Sequence, residues 1–129
     1  MIAIGNTTIE FAVPADWDYS AEPFNFKNVG VKVCSDKLGY ENIISFEADK
    51  SPLAFFMNLN DPAIKNFAWH SMCEEFMISC AKDEDGFHIT IDLNNDSDEF
   101  ESAGDLRIML SVVANEIDID TNKLNLLFK

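Results

Sequence analysis

With 129 residues and 47% hydrophobic side chains, the chain has the length and apolar content of one domain that buries a core without disulfides or a structural metal. Its formal charge of −14, from 23 acids against 9 Lys and Arg, repels nucleic-acid phosphates and anionic membranes and argues against both as direct partners. No apolar run approaches the ~20 residues that span a bilayer. Met1 to Val13 has no basic n-region, and Cys34, Cys73 and Cys80 have no paired spacing, so reduced thiols and a cytoplasmic location are predicted.

In chain order, Met1 to Ile4 and Thr8 to Val13 read as short strands around the turn dipeptide Gly5-Asn6. Residues 14 to 28 carry Pro14, Pro23 and several Asp and Asn, a loop signature. Val29, Val31 and Val33 alternate with Gly30 and Lys32 as a half-buried strand, and Asp36 to Gly39 turns the chain into a second strand from Tyr40 to Ala48. Leu53 to Leu59 fits either a short helix capped at Ser51-Pro52 or a buried strand. Asp61-Pro62 is a helix-start signal, and Ile64, Phe67, Ala68 and Met72 recur at helical spacing, which predicts a helix from Pro62 to about Cys73.

Glu75 to Lys82 and Phe87 to Leu93 flank Asp83-Glu84-Asp85-Gly86, with Phe87, Ile89, Ile91 and Leu93 on one face and His88, Thr90 and Asp92 on the other. That pattern predicts an antiparallel hairpin with one wet side. Ser102 with Asp105 resembles a capping pair, and Leu106, Met109, Leu110, Val113 and Ile117 form a helical stripe, so a second helix is predicted there. Leu124 to Phe128 reads as a last strand or a docked tail. The expected fold is one α+β domain over residues 1–129, an antiparallel sheet with about two helices packed on one face.

Charge is distributed unevenly along this framework. Asp83, Glu84, Asp85, Asp92, Asp96, Asp98, Glu99, Glu101 and Asp105 fall between residues 83 and 105 with no Lys or Arg among them, so most of the net charge sits in one window. Ordinary surfaces mix both signs, and a one-sign window favours contact with a cationic partner over a merely solvating rim. The hairpin turn at Asp83 to Asp85 and the stretch Asp96 to Glu101 stand at opposite ends of one strand and form two clusters, about 23 Å apart at ~3.3 Å per residue. The second is larger, includes Phe100 as an aromatic anchor and leads to Asp105, which makes it the preferred contact surface.

No motif fixes a chemistry. Asp92, Asn94, Asp96 and Asp98 alternate like calcium-loop ligands, but Ser97 stands where the turn needs Gly and Ala103 where a bidentate Glu is needed. The cysteines, His70 and His88 lack zinc spacing; His70 with Cys73 is the one local nucleophile–base pairing, and no clustered glycines cradle a phosphate. Catalytic residues, cofactors and metals are therefore not predicted.

A small acidic protein without catalytic groups fits an inhibitor whose carboxylates meet a basic protein, with fast, electrostatically steered association. In this character, and in the opening Met1-Ile2-Ala3-Ile4-Gly5-Asn6 followed by Phe11-Ala12, the chain resembles bacterial immunity proteins of polymorphic-toxin and contact-dependent growth inhibition systems. The resemblance covers about a dozen residues and implies an antitoxin that neutralises a cognate toxin domain, such as a nuclease, one-to-one. Two other classes remain open on the sequence: a DNA-mimic inhibitor of a nucleic-acid enzyme, and a small enzyme or ligand-binding module whose site the fold assembles.

Overall fold

The computed structural model describes residues 1–12, 26–36, 38–72, 74–94 and 107–128. Nine strands and two helices follow in chain order among them: β1 (Ile2–Ile4), β2 (Thr7–Ala12), β3 (Phe26–Cys34), β4 (Gly39–Glu47), α1 (Leu53–Asn58), β5 (Asn66–His70), β6 (Phe76–Asp83), β7 (Gly86–Asn94), β8 (Arg107–Ala114), β9 (Ile117–Ile119) and α2 (Thr121–Phe128). The fold is α+β and mostly sheet, with two antiparallel sheets where the sequence suggested one. The first has strand order β4-β3-β2-β1-β9 and the second β5-β6-β7-β8.

Alternation explains the strands. Ile2, Ile4, Ile9, Phe11, Val29, Val31, Val33, Ile44 and Phe46 of the first sheet share one core with Phe76, Ile78, Cys80, Ile89, Ile91 and Leu93 of the second. Edge-to-face rings join the layers: the Phe11 centroid lies 6.2 Å from Phe76, and Phe46 lies 6.0 Å from Trp69. The helices add Phe55, Phe56, Leu59, Leu124 and Phe128 to this core. Phe56 and Phe128 stand 5.7 and 5.3 Å from Phe11, so one ring of β2 ties both helices to both sheets.

Two predicted helices are strands. Residues 66–70, inside the expected helix from Pro62 to Cys73, form β5 on β6, with Phe67 opposite Cys80 and Trp69 opposite Ile78. Asp61 caps a single turn instead, its carboxylate accepting from the Ala63 N–H at 3.0 Å and its carbonyl from the Ile64 N–H at 3.2 Å. Residues 107–114, inside the second expected helix, form β8, in which Ile108, Leu110 and Val112 pack on the core while Met109, Ser111 and Val113 are exposed. The stripe of Met109, Leu110 and Val113 thus combines residues from two faces of a strand. The capping pair Ser102 and Asp105, with Leu106, lies outside the described residues. Leu124 to Phe128 belongs to α2 instead of a strand or tail, burying Leu124 and Phe128 at helical i, i+4 spacing. The Leu53 to Leu59 ambiguity resolves as a helix over Leu53–Asn58 with Leu59 at its C-cap.

Candidate interaction surface

The hairpin is where the acidic window becomes geometry. β6 and β7 pair without interruption from Phe76↔Leu93 to Asp83↔Gly86, leaving Glu84-Asp85 as a two-residue loop. Such loops ordinarily demand positive φ within the loop. Here Gly86, the residue after it, takes φ +121°, where a Cβ would stand 2.6 Å from the Ala114 carbonyl oxygen. Glycine is therefore required both for its backbone angle and for the close approach of the hairpin to the end of β8.

Asp83, Glu84 and Asp85 are all exposed. The Asp83 carboxylate accepts from the Asp85 N–H at 2.8 Å, which folds the turn on itself, and its other oxygen lies 2.8 Å from His88 Nε2. The nearby His88 ring first, then the Asp85 amide, hold the Asp83 carboxyl below the ordinary carboxylate range. Glu84 and Asp85 have no salt-bridge partner among the described residues.

Lys82, the nearest cation in sequence, is turned away. Its ammonium donates to the carbonyls of Asn58 and Asp61 at 2.7 and 2.6 Å and lies over the rings of Phe67 and Phe87. The hairpin acids consequently project without a lysine among the described residues to neutralise them.

The remaining predicted contact residues, Asp96, Asp98, Glu99, Phe100, Glu101 and Asp105, lie outside the described residues. Residues 95–106 join Asn94 to Arg107, both at the end of the β7–β8 pair opposite the turn.

Other sequence candidates are dispersed. His70 is exposed on β5, its ring nitrogen 2.8 Å from the Ser71 carbonyl, and Cys73 lies outside the described residues. Cys80 is buried, and burial pushes its thiol pKa up against the pull of Lys82. Asp92, expected on the wet side of β7, is 6% exposed. The outer face of the second sheet carries open depressions, one of about 260 Å³ lined by Ala68, His70, Met77, Ser79, Thr90 and Asp92. Asp83, Asp85 and His88 bring one donor atom each within 4.8 Å of one another, a set that a divalent cation could bridge.

Sequence reasoning placed His88 on the wet face but did not pair it with Asp83. The two are diagonal neighbours next to a two-residue turn, and that adjacency was the available signal. It also set Met109 and Val113 inside a helix stripe, whereas they are 59% and 60% exposed on β8. The comparisons with known proteins supply no family: no family model matches the chain, and no curated protein or solved structure matches it. Among the described residues no helix is long and apolar enough to cross a membrane.

Proposed function

We propose that this protein is an immunity-type antitoxin that binds and neutralises a cognate, basic toxin domain such as a nuclease, one-to-one, in the cytoplasm. The observation that supports the reading is the hairpin tip, where Asp83, Glu84 and Asp85 stand exposed and lysine-free among the described residues. Carboxylates so placed can occupy positions that a basic active site reserves for phosphates, and their field accelerates encounter with a positive surface. The second acidic cluster of the sequence, Asp96, Asp98, Glu99, Phe100, Glu101 and Asp105, is the alternative contact.

The test begins with capture of the partner by the tagged protein, the product of the adjacent gene being the first candidate. Binding is then measured for two charge-reversed variants, Asp83→Lys/Glu84→Lys/Asp85→Lys and Asp98→Lys/Glu99→Lys/Glu101→Lys. The reading expects one of them to weaken binding at least about tenfold, or ~1.4 kcal/mol. Unchanged affinity in both removes the acidic surfaces from the account.

A further inference from the structure

β8 is an edge strand with few of the usual protections among the described residues. It pairs with β7 and with no other strand of the described residues. Its register runs unbroken from Phe87↔Ala114 to Asn94↔Arg107, so no bulge twists the edge away. β8 contains no proline, and its one charged residue, Arg107, is its first, leaving residues 108–114 uncharged. Edge strands are commonly blunted by such devices. The nine-residue β4 at the other sheet's edge has them, carrying Glu41 and Glu47 and receiving the Met72 N–H at the Ser45 carbonyl, 2.8 Å away.

The phase of the ladder identifies the open groups. The Lys82 N–H turns from β7 to the Lys65 carbonyl, and the Asn94 N–H bonds the Glu75 carbonyl. Antiparallel pairs alternate, so even-numbered residues of β7 bond β6 and odd-numbered ones bond β8. On β8, Ile108, Leu110, Val112 and Ala114 therefore face β7, and the N–H and C=O groups of Met109, Ser111 and Val113 face outward. The side chains of the same three residues are exposed.

One end of this edge is acidic. A Cβ on Gly86 would lie 3.2 Å from Asn115 Oδ1, so the hairpin turn abuts the end of β8. The exposed Asp83, Glu84 and Asp85 thus belong to the turn at that end of β8, which Glu116, also exposed, follows in sequence. An occupant matching both features is extended and apolar along Met109 to Val113, with basic side chains where it passes the turn. A second copy of this chain would bring −14 against −14, which disfavours it.

Resting on the cationic-partner reading above, we infer that β8 is the seat for an extended, basic-ended segment of the partner protein, which adds to the second sheet as a fifth strand. The outward groups of Met109, Ser111 and Val113 bond its backbone, and the hairpin acids select its charged end.

Hydrogen exchange of the whole protein, free and with a synthetic peptide of alternating threonine and valine headed by a pair of lysines, tests the inference. In the free protein the amides of Met109, Ser111 and Val113 exchange fast and those of Ile108, Leu110 and Val112 slowly. The peptide should protect the first set. The same peptide N-methylated at alternate residues should bind about tenfold more weakly, because it cannot donate to the edge. Ser111→Pro, which removes an outward N–H and leaves the bonds to β7, should weaken binding similarly without lowering the thermal midpoint. If that variant does not fold, the N-methylated peptide on the native chain decides the matter by itself.

Equal binding of the methylated peptide overturns the strand seat. So does protection of the three amides in dilute free protein, where the chain covers its own edge, or protection that grows with protein concentration, where a second copy does. The two readings fail separately. A glutamate-headed peptide that binds as well as the lysine-headed one, with N-methylation still harmful, removes the cationic partner and keeps the seat. A lysine preference that survives N-methylation does the reverse.

Discussion

Replacing Gly86 with alanine perturbs the one backbone position on which the hairpin and β8 both depend. At φ +121° an L-residue sits in a region nearly reserved for glycine, at a cost of about 1–3 kcal/mol. The new methyl would also lie 2.6 Å from the Ala114 oxygen and 3.3 Å from its carbonyl carbon. Both are backbone atoms, so relief requires β7 and β8 to separate by several tenths of an ångström, a strain of about 1–3 kcal/mol. The combined loss of about 2–6 kcal/mol is a large share of the 5–15 kcal/mol that holds a typical domain together. Urea unfolding should show the midpoint falling with little change in slope. Gly39→Ala is the internal control: a Cβ there meets nothing within 4 Å and φ is not positive, so it should be neutral or stabilising by about 0.4–1 kcal/mol. A Gly86→Ala loss below about 0.5 kcal/mol, or one equalled by Gly39→Ala, would refute the close-approach argument.

Three further outcomes follow from the same geometry. Phe11→Ala removes the ring that touches Phe56, Phe76 and Phe128 and should cost about 3–5 kcal/mol by chemical denaturation. Lys82→Ala strips two carbonyls, those of Asn58 and Asp61, of a charged donor and should cost about 1–2 kcal/mol, with faster amide exchange around α1. In a carboxyl NMR titration Asp83 should titrate below the ordinary Asp value, and His88→Ala should move it back up. Because the folded value is the depressed one, any stability the group contributes is present above the ordinary Asp pKa and is lost as pH falls through the folded value.

Legibility followed the contrast between the two faces of each element. Val29, Val31 and Val33 alternate with Gly30 and Lys32, and Phe87 to Leu93 alternate around a turn sequence, so β3 and the β6–β7 hairpin were readable. β5 was not, because its outward Ala68 is as apolar as many core residues and Asp61-Pro62 advertised a helix that closes after one turn. β8 failed for the reason that makes it interesting: both faces are largely apolar, so Met109 and Val113 could be drawn into a period-3.6 pattern with Leu110. Its Ile108, Val112 and Val113 carry the β-branched preference that should have weighed against a helix. Within the candidate surface, the exposure of Asp83, Glu84 and Asp85 followed from their turn sequence. The withdrawal of Lys82 to α1 and the approach of the turn to Ala114 depend on elements distant in sequence, which no local pattern encodes.

The central claim is that a negative hairpin with no lysine among the described residues to neutralise it draws a positive protein to this molecule, and the salt dependence of its association rate measures that draw directly. Stopped-flow mixing with the captured partner at rising ionic strength should give a rate that falls steeply for the native chain and only shallowly for Asp83→Lys/Glu84→Lys/Asp85→Lys. Equal salt slopes for the two proteins would contradict the account.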